Sequence, residues 1–307
     1  MITQKKYEII HTAIHKENNL LSVSKLCEIA GVSRSGYYAW IKAEPNRERR
    51  EDADRKDYEA ILEAYKFRGY AKGARSIQMR LLHVGILMNL KKIRRLMRKY
   101  GLKCPYRGPN AFRQMAKALR TNVTFENVVN REFVKGVVRK VLLTDITYIF
   151  YKGGVCYLST ILDAFTREIL AYKLSKNLAV GFVLQTVEDL IREHGSTLDD
   201  TTIIHSDQGC HYTSKAFIQK LRDNHFVQSM SRKGNCWDNA PQESFFGHMK
   251  DEIEFEISMM NSFNEVKAKI DDWINYYNND RYQWELSKLS PKEFYQYATT
   301  GIYPIAV

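Results

Sequence analysis

The sequence lacks any apolar run near the roughly 18 residues of a membrane span. Its opening, MITQKKYEII, has neither the apolar core nor the cleavage pattern of a secretory signal. Both absences argue against a membrane or exported class and predict a cytoplasmic protein. No Cys-x-x-Cys pair occurs among the five scattered cysteines, Cys27, Cys104, Cys156, Cys210 and Cys236, so zinc and dithiol chemistry are not expected. No heptad run is present, which leaves no coiled coil. The most informative absence is of acid: from Ala64 to Phe125 there are 16 basic residues and no acidic one. A charge run is ordinarily a solvated face, but complete exclusion of acid over such a stretch favours a polyanion partner.

What is present divides in two. Residues 1–140 hold 31 Lys+Arg against 13 Asp+Glu, whereas residues 141–307 hold 16 against 22. With 307 residues, 44% of them apolar, the chain is long enough for two or three domains. The basic half is expected to touch nucleic acid and the acidic half to do something else.

In SVSKLCEIAGVSRSGYYAWIK, residues 22–42, the apolar spacing and Gly31 predict a helix-turn-helix, with Cys27 as the small residue at the crossing. Its second helix, starting near Ser33, would offer Arg34, Ser35 and Tyr38 to a major groove. A plain helical hairpin is the alternative, and Gly36 inside the second helix weakens the pattern. Mixed charges after Pro45 predict an exposed helical connector. A second bihelical unit follows, with a turn at Gly85, a cap at Asn89 and an end at Gly101. There Leu90, Ile93, Leu96, Met97 and Tyr100 form an apolar stripe, leaving Lys91, Lys92, Arg94, Arg95, Arg98 and Lys99 outside as a phosphate footprint. The segment CPYRGPNAFRQMAKALRTN reads as a linker that lies along DNA.

From residue 136 the texture changes to β-branched and aromatic runs. GVVRKVLLTDITYIFY and GVCYLSTILDAF meet at a KGG hairpin, and REILAYKLS makes a third strand. Alternating helices and two short strands follow, which predicts a mixed sheet with helices on its faces. Asp145 falls mid-strand between apolar neighbours, where a carboxylate is costly unless paired or metal-bound. Asp207 follows a strand end, with Gly209 turning the chain, although an ordinary turn aspartate would look the same. Glu243 sits near a helix start, where Asn239 and Gln242 resemble a capping box and Pro241 fits the first turn; the helix dipole alone would favour an acid there. Lys250, seven residues on, shares its face. Three carboxylates from a central strand, a strand end and a helix start are placed to converge on a pair of Mg²⁺ ions, with Mn²⁺ able to substitute, and phosphate substrates suit such a site.

The run TDITYI, then HSDQGCHYTS, then SMSRKGNCWDNAPQESFFGHMKDE resembles the DDE transposases, whose core is akin to retroviral integrases. More narrowly it is similar to the OrfB product of the bacterial insertion sequences named after insertion sequence three. The ending YYNNDRYQWELSKLSPKEF and the basic NLKKIRRLMRKYGLKCP fit the same family. The resemblance implies a ribonuclease H-like α/β fold, a mixed five-stranded sheet with flanking helices, preceded by all-α helix-turn-helix units. It further implies that Asp145, Asp207 and Glu243 bind the metals. Water or a DNA 3′-hydroxyl then attacks a phosphodiester at the element's terminal repeats, and Lys250 matches a basic residue aimed at the terminal base pairs. It also implies a homo-oligomer on DNA and an upstream-frame product or fusion as partner. Leu142 stands where the family usually has tryptophan, which implies a packing change.

The expected division is 1–45 helix-turn-helix, 46–64 connector, 65–104 second basic unit, 105–135 linker, 136–260 catalytic core and 261–307 helical appendage. Trp237 is expected to stack on a frayed base or to pack. His205 is expected to be structural rather than a proton carrier, and Asp163 a turn residue rather than a fourth site acid. Tyr276, Tyr277 and Trp284 read as core or docking residues of the appendage. The competing functions are a DNA-binding regulator of transposition with an inactive core, and a structure-directed nuclease of the ribonuclease H type.

Overall fold

The computed structural model describes residues 3–17, 19–69, 72–104, 136–231 and 240–305. The first three helices, α1 (Thr3–Ile14), α2 (Val23–Ala30) and α3 (Arg34–Lys42), close a small core of Ile10, Cys27 and Tyr37. Ser22 and Ser33 cap α2 and α3 through their side chains, and Gly31 turns the chain at φ 62°, a conformation that suits glycine. The expected helix pair is therefore present, with α1 as an additional member packed across it. Gly36, which weakened the sequence pattern, has a packing reason: a Cβ there would collide with the Tyr7 hydroxyl of α1. Gly36→Ala should destabilise this unit by about 1–3 kcal/mol, the usual range for overpacking. Tyr7→Phe in the same background should restore part of the loss, as read by urea unfolding.

Helix α4 (Glu44–Lys66) starts with Pro45 in its first turn and leads to α5 (Ala74–His83) and α6 (Leu90–Lys99). The Asn89 side chain caps α6 by accepting the Lys91 N–H at 2.8 Å. Ile61 of α4, Ile77 and Leu81 of α5, and Ile93 and Leu96 of α6 make the core of this unit.

The second half is built on strands β1 (Val141–Tyr151), β2 (Gly154–Asp163), β3 (Ile169–Ser175), β4 (Ile203–Ser206) and β5 (Val227–Met230). Their order is β3-β2-β1-β4-β5; the β1–β2 and β2–β3 pairs are antiparallel, and β1–β4 and β4–β5 are parallel. This is the mixed five-stranded, ribonuclease H-like arrangement that the resemblance implied. Helices α7 (Val180–His194) and α8 (Lys215–Asp223) cover one face, where Leu142, Ile161 and Ile204 meet Phe182, Val187 and Phe217. Leu142 is fully buried there, an aliphatic core residue at the position where tryptophan was expected. Helices α9 (Ala240–Ser258) and α10 (Phe263–Asn279) cover the other face, where Leu143, Leu158 and Ile203 meet Phe245, Met249 and Trp273.

The segment expected as an appendage thus contributes to the main core: Val266, Ile270, Trp273 and Tyr277 of α10 all pack into it. Trp273 Nε1 donates to Glu252 Oε2 at 2.9 Å, and Arg281 closes on the same carboxylate. Helix α11 (Pro291–Thr300) begins with a capping box between Ser290 and Glu293. The α4–α6 unit docks here, with His83 stacked on Tyr282 and hydrogen-bonded to Glu293, and Arg68 paired with Asp272. Trp284 lies at the same junction with Arg75 over its ring. No helix among the described residues is long and apolar enough to cross a membrane.

Candidate active site

Asp145 lies on β1, the central strand. The parallel register sets Leu143 beside His205, so two residues further along both strands Asp145 comes level with Asp207, just past the end of β4. Neighbouring strands run about 4.8 Å apart, so the register directs the two acids toward the same end of the sheet. Both acids lie within electrostatic reach of Tyr212, whose hydroxyl stands 3.5 Å from Thr144 Oγ1. Its pKa is pushed well above the ordinary phenol value by complete burial and then by the charges of Asp145 and Asp207. One phenol feels both acids.

Each acid is also held locally. Asp145 Oδ1 accepts the Ile146 N–H at 2.8 Å, and Asp207 Oδ1 accepts the Gly209 N–H at 2.8 Å. Asp207 has solvent access, yet the protein packed around its carboxyl raises its pKa, against the opposing effects of the Gly209 hydrogen bond and nearby His211.

Glu243 is in the first turn of α9, where the helix dipole favours an acid. The helix start is fixed on the sheet by Gln242, which is 0% exposed and donates from Nε2 to Thr160 Oγ1. Thr160 is the cross-strand partner of Asp145. Side chains directly opposite in a ladder share a face, so Gln242 brings the start of α9 over the face that carries Asp145. The capping box expected from Asn239 and Gln242 is corrected on the Gln242 side: its amide turns into the sheet, and its Oε1 is buried without a partner. Lys250 lies half-buried on the same helix. Among the described residues no three His, Cys, Asp or Glu side chains stand close enough to hold an ion. Asp145 on β1, Asp207 just past β4 and Glu243 in the first turn of α9 thus lie on three elements at one end of the sheet, and among the described residues they form no closed cluster.

Other expected residues sort clearly. Asp163 is buried as the acceptor of the Arg139 N–H, the Phe165 N–H and the Thr166 hydroxyl, a structural turn residue. His205 is buried and shares a 3.0 Å hydrogen bond with Ser229, which fits the structural reading. Arg34, Ser35 and Tyr38 are exposed along α3. Of the six cations expected as a footprint on α6, three are paired with acids of α4. Arg95 makes a bidentate pair with Asp54 at 2.6 and 2.7 Å, Lys99 pairs with Glu51 and Asp54, and Lys92 pairs with Asp57. These contacts with Arg95 and Lys99 hold the Asp54 carboxyl far below the usual carboxylate range. The acids of α4, expected to face solvent, lie on the side turned to α6. Lys91, Arg94 and Arg98 are exposed. Trp237, Asn239 and the 105–135 linker lie outside the described residues.

Tyr212 was not singled out from sequence, and Gln242 was read only as part of a helix cap, not as the side chain that ties α9 to the sheet. Tyr212 follows the Asp207 turn by five residues, and Gln242 immediately precedes Glu243; this adjacency was the available signal.

Comparison with known proteins adds an independent line. Models of an integrase core domain match residues 138–236 and 224–291, and a model of an HTH-like domain matches residues 51–110. The putative transposase InsK of insertion sequence element IS150 from Escherichia coli K12 is 30% identical over 274 residues, 89% of this chain and 93% of that one. A 31 kDa protein of insertion element IS600 from Shigella sonnei is 30% identical over 270 residues, 88% of this chain and 97% of its own length. The solved catalytic core domain of BIV integrase is 13% identical and covers 53% of this chain and 97% of its own, with a TM-score of 0.42. Relatives 30% identical and matched along nearly their whole length, together with the HTH-like and integrase core models matched in this chain, establish that the chain belongs to the insertion-sequence transposases.

Proposed function

We propose that Asp145, Asp207 and Glu243 form the metal-dependent centre with which this transposase cleaves and rejoins DNA. The observation that carries the reading is the parallel register of β1 and β4, which carries Asp145 on β1 and Asp207 just past the end of β4 toward one end of the sheet, with α9 pinned over that face through Gln242 and Thr160. Ionised carboxylates offer only acceptor oxygens, the donor type that hard divalent cations take, so the residues fit Mg²⁺ with Mn²⁺ as a substitute. Bound there, the ions would polarise a phosphodiester and activate the attacking oxygen.

The chain's own part is to hold and orient. Asp145 and Asp207 supply fixed negative charge from a rigid sheet, and Glu243 adds a third carboxylate from the helix start. Lys250, on the same helical face as Glu243 two turns on, reaches toward the terminal base pairs of the DNA end. Water attacks phosphorus and breaks the bond to the 3′-oxygen, leaving a free 3′-hydroxyl. That hydroxyl attacks a second phosphodiester, forming one phosphorus–oxygen bond as another breaks, so no covalent protein intermediate is needed.

The same reading divides the labour between residues 1–45 and 65–104, which hold DNA across the 46–64 connector, and residues 136–260, which carry the chemistry. It takes the protein to act as a homo-oligomer around paired terminal repeats, with an upstream-frame product or fusion as further partner. Incubating the chain with a labelled duplex carrying the element's end tests it. Nicked and joined products should form with Mg²⁺ and vanish with a chelator. DNA binding without products in either condition, with an upstream-frame fusion as well as without, would favour the regulator instead.

Gln242 offers a sharper check. Gln242→Leu removes a buried Oε1 that has no partner but leaves the buried Thr160 hydroxyl without its donor, two opposing effects that should keep the net change in unfolding within about 1 kcal/mol. The loss of its bond to Thr160 frees the start of α9, and a displacement on the order of 1 Å at a reacting group can cost roughly 100-fold in rate. Cleavage should therefore fall by about 10- to 100-fold while the melting midpoint holds.

A further inference from the structure

We infer that α6 meets the DNA backbone along one stripe only, Lys91, Arg94 and Arg98, while Lys92, Arg95 and Lys99 serve to hold α6 on α4. The inference rests on the DNA-binding reading of this unit and deepens it.

In sequence the two sets look alike, since each has three cations at spacings of three and four. On a helix with about 100° per residue, each set falls within an arc of roughly 60°, and the two arcs are adjacent. Ile93, Leu96 and Met97 occupy the buried remainder. What separates the stripes is their surroundings. Every cation of the second set meets an acid of α4: Lys92 meets Asp57, Arg95 meets Asp54, and Lys99 meets Glu51 and Asp54. Three cations against three carboxylates leave no net charge on that side of the helix. Among the described residues Lys91, Arg94 and Arg98 have no such acid beside them, and all three are exposed.

The chemistry then favours one ligand, a line of phosphates. From residue 91 to residue 98 the stripe rises about 10 Å, enough to follow about three successive phosphates of one strand. Binding through the second set would require each cation to leave a carboxylate, which offsets what the phosphate supplies. Only cations that displace DNA counterions contribute to the salt dependence of binding. Each phosphate neutralised on duplex DNA adds about 0.9 to the slope of log affinity against log salt.

The test compares three full-length proteins on a short labelled duplex of arbitrary sequence across a salt series. The variant Lys91→Gln/Arg94→Gln/Arg98→Gln should bind more weakly, with a slope shallower by up to about 2.7. The variant Lys92→Gln/Arg95→Gln/Lys99→Gln should keep the wild-type slope and lose thermal stability. If that variant does not fold, the single changes Lys92→Gln, Arg95→Gln and Lys99→Gln take its place, each expected to keep the slope. Equal loss of slope in both sets, or loss only in the paired set, overturns the inference. A wild type whose binding does not respond to salt overturns the DNA-binding reading of the unit itself, a separate outcome from failure of the stripe.

Discussion

Asp145→Asn is expected to lower strand cleavage at least a hundredfold, with the folded structure and DNA binding retained. The substitution keeps the shape of the side chain and removes its charge, so it isolates electrostatics from packing. Without its charge Asp145 would hold the ions less well, and the electrostatic stabilisation they would give the transferring phosphoryl is roughly 3–4 kcal/mol in the barrier, where about 1.4 kcal/mol is tenfold in rate. Asp207→Asn should behave alike, because the two residues stand level on β1 and just past β4. Binding should persist, since the exposed residues of α3 and the Lys91 stripe of α6 lie on other elements. A labelled-duplex cleavage assay run beside a mobility-shift titration separates the two properties. Parallel loss of binding and cleavage would assign Asp145 to folding instead.

The second large effect concerns stability. Arg139→Met should cost about 3–5 kcal/mol, because removing one partner of a buried ion pair strands the other. Arg139 is 3% exposed, its Nη2 pairs with Glu168 at 2.7 Å, and its backbone N–H and Nη1 both donate to the fully buried Asp163. These contacts tie the approach to β1 to the end of β2, and the guanidinium also lies over Tyr295 of α11. Burial already pushes the Asp163 carboxyl up, and Arg139 is the largest influence opposing it. In the variant that opposition is lost, so the folded-state pKa rises further above its unfolded value. A raised carboxylate pKa gives stability that is present at low pH and lost as pH rises through the folded pKa. The deficit of Arg139→Met against wild type should therefore be largest near neutral pH and shrink in mild acid, as read by urea unfolding at the two conditions.

Local chemistry made much of this fold legible in the sequence. Alternating β-branched and aromatic runs around Asp145 give β1, and the glycines of KGG give the hairpin to β2. Ser33, Gly31 and Asn89 mark helix ends because their side chain or backbone conformation does the capping itself. What stayed hidden depends on partners distant in sequence. The stripe containing Trp273 and Tyr277 is helical in either case, and only the sheet beneath α10 makes it core. The Glu51, Asp54 and Asp57 carboxylates look like a solvated face until α6 is folded back on α4, roughly forty residues later. Gln242 suits a capping box by spacing, and Thr160, far along the chain, takes its amide instead. At the candidate site the sequence placed each acid on its element, but the level of Asp145 with Asp207 follows from strand register, which no local pattern encodes.

The central claim is that Glu243 completes a site with the two aspartates. The most direct measurement is Mg²⁺-dependent nicking and joining of a labelled duplex carrying the element's end, comparing wild type with Glu243→Gln. The wild type should cut and join, and the variant should bind the duplex with unchanged affinity and do neither. Wild-type rates of cutting and joining in Glu243→Gln would contradict the claim and return Glu243 to the plain role of an acid at a helix start.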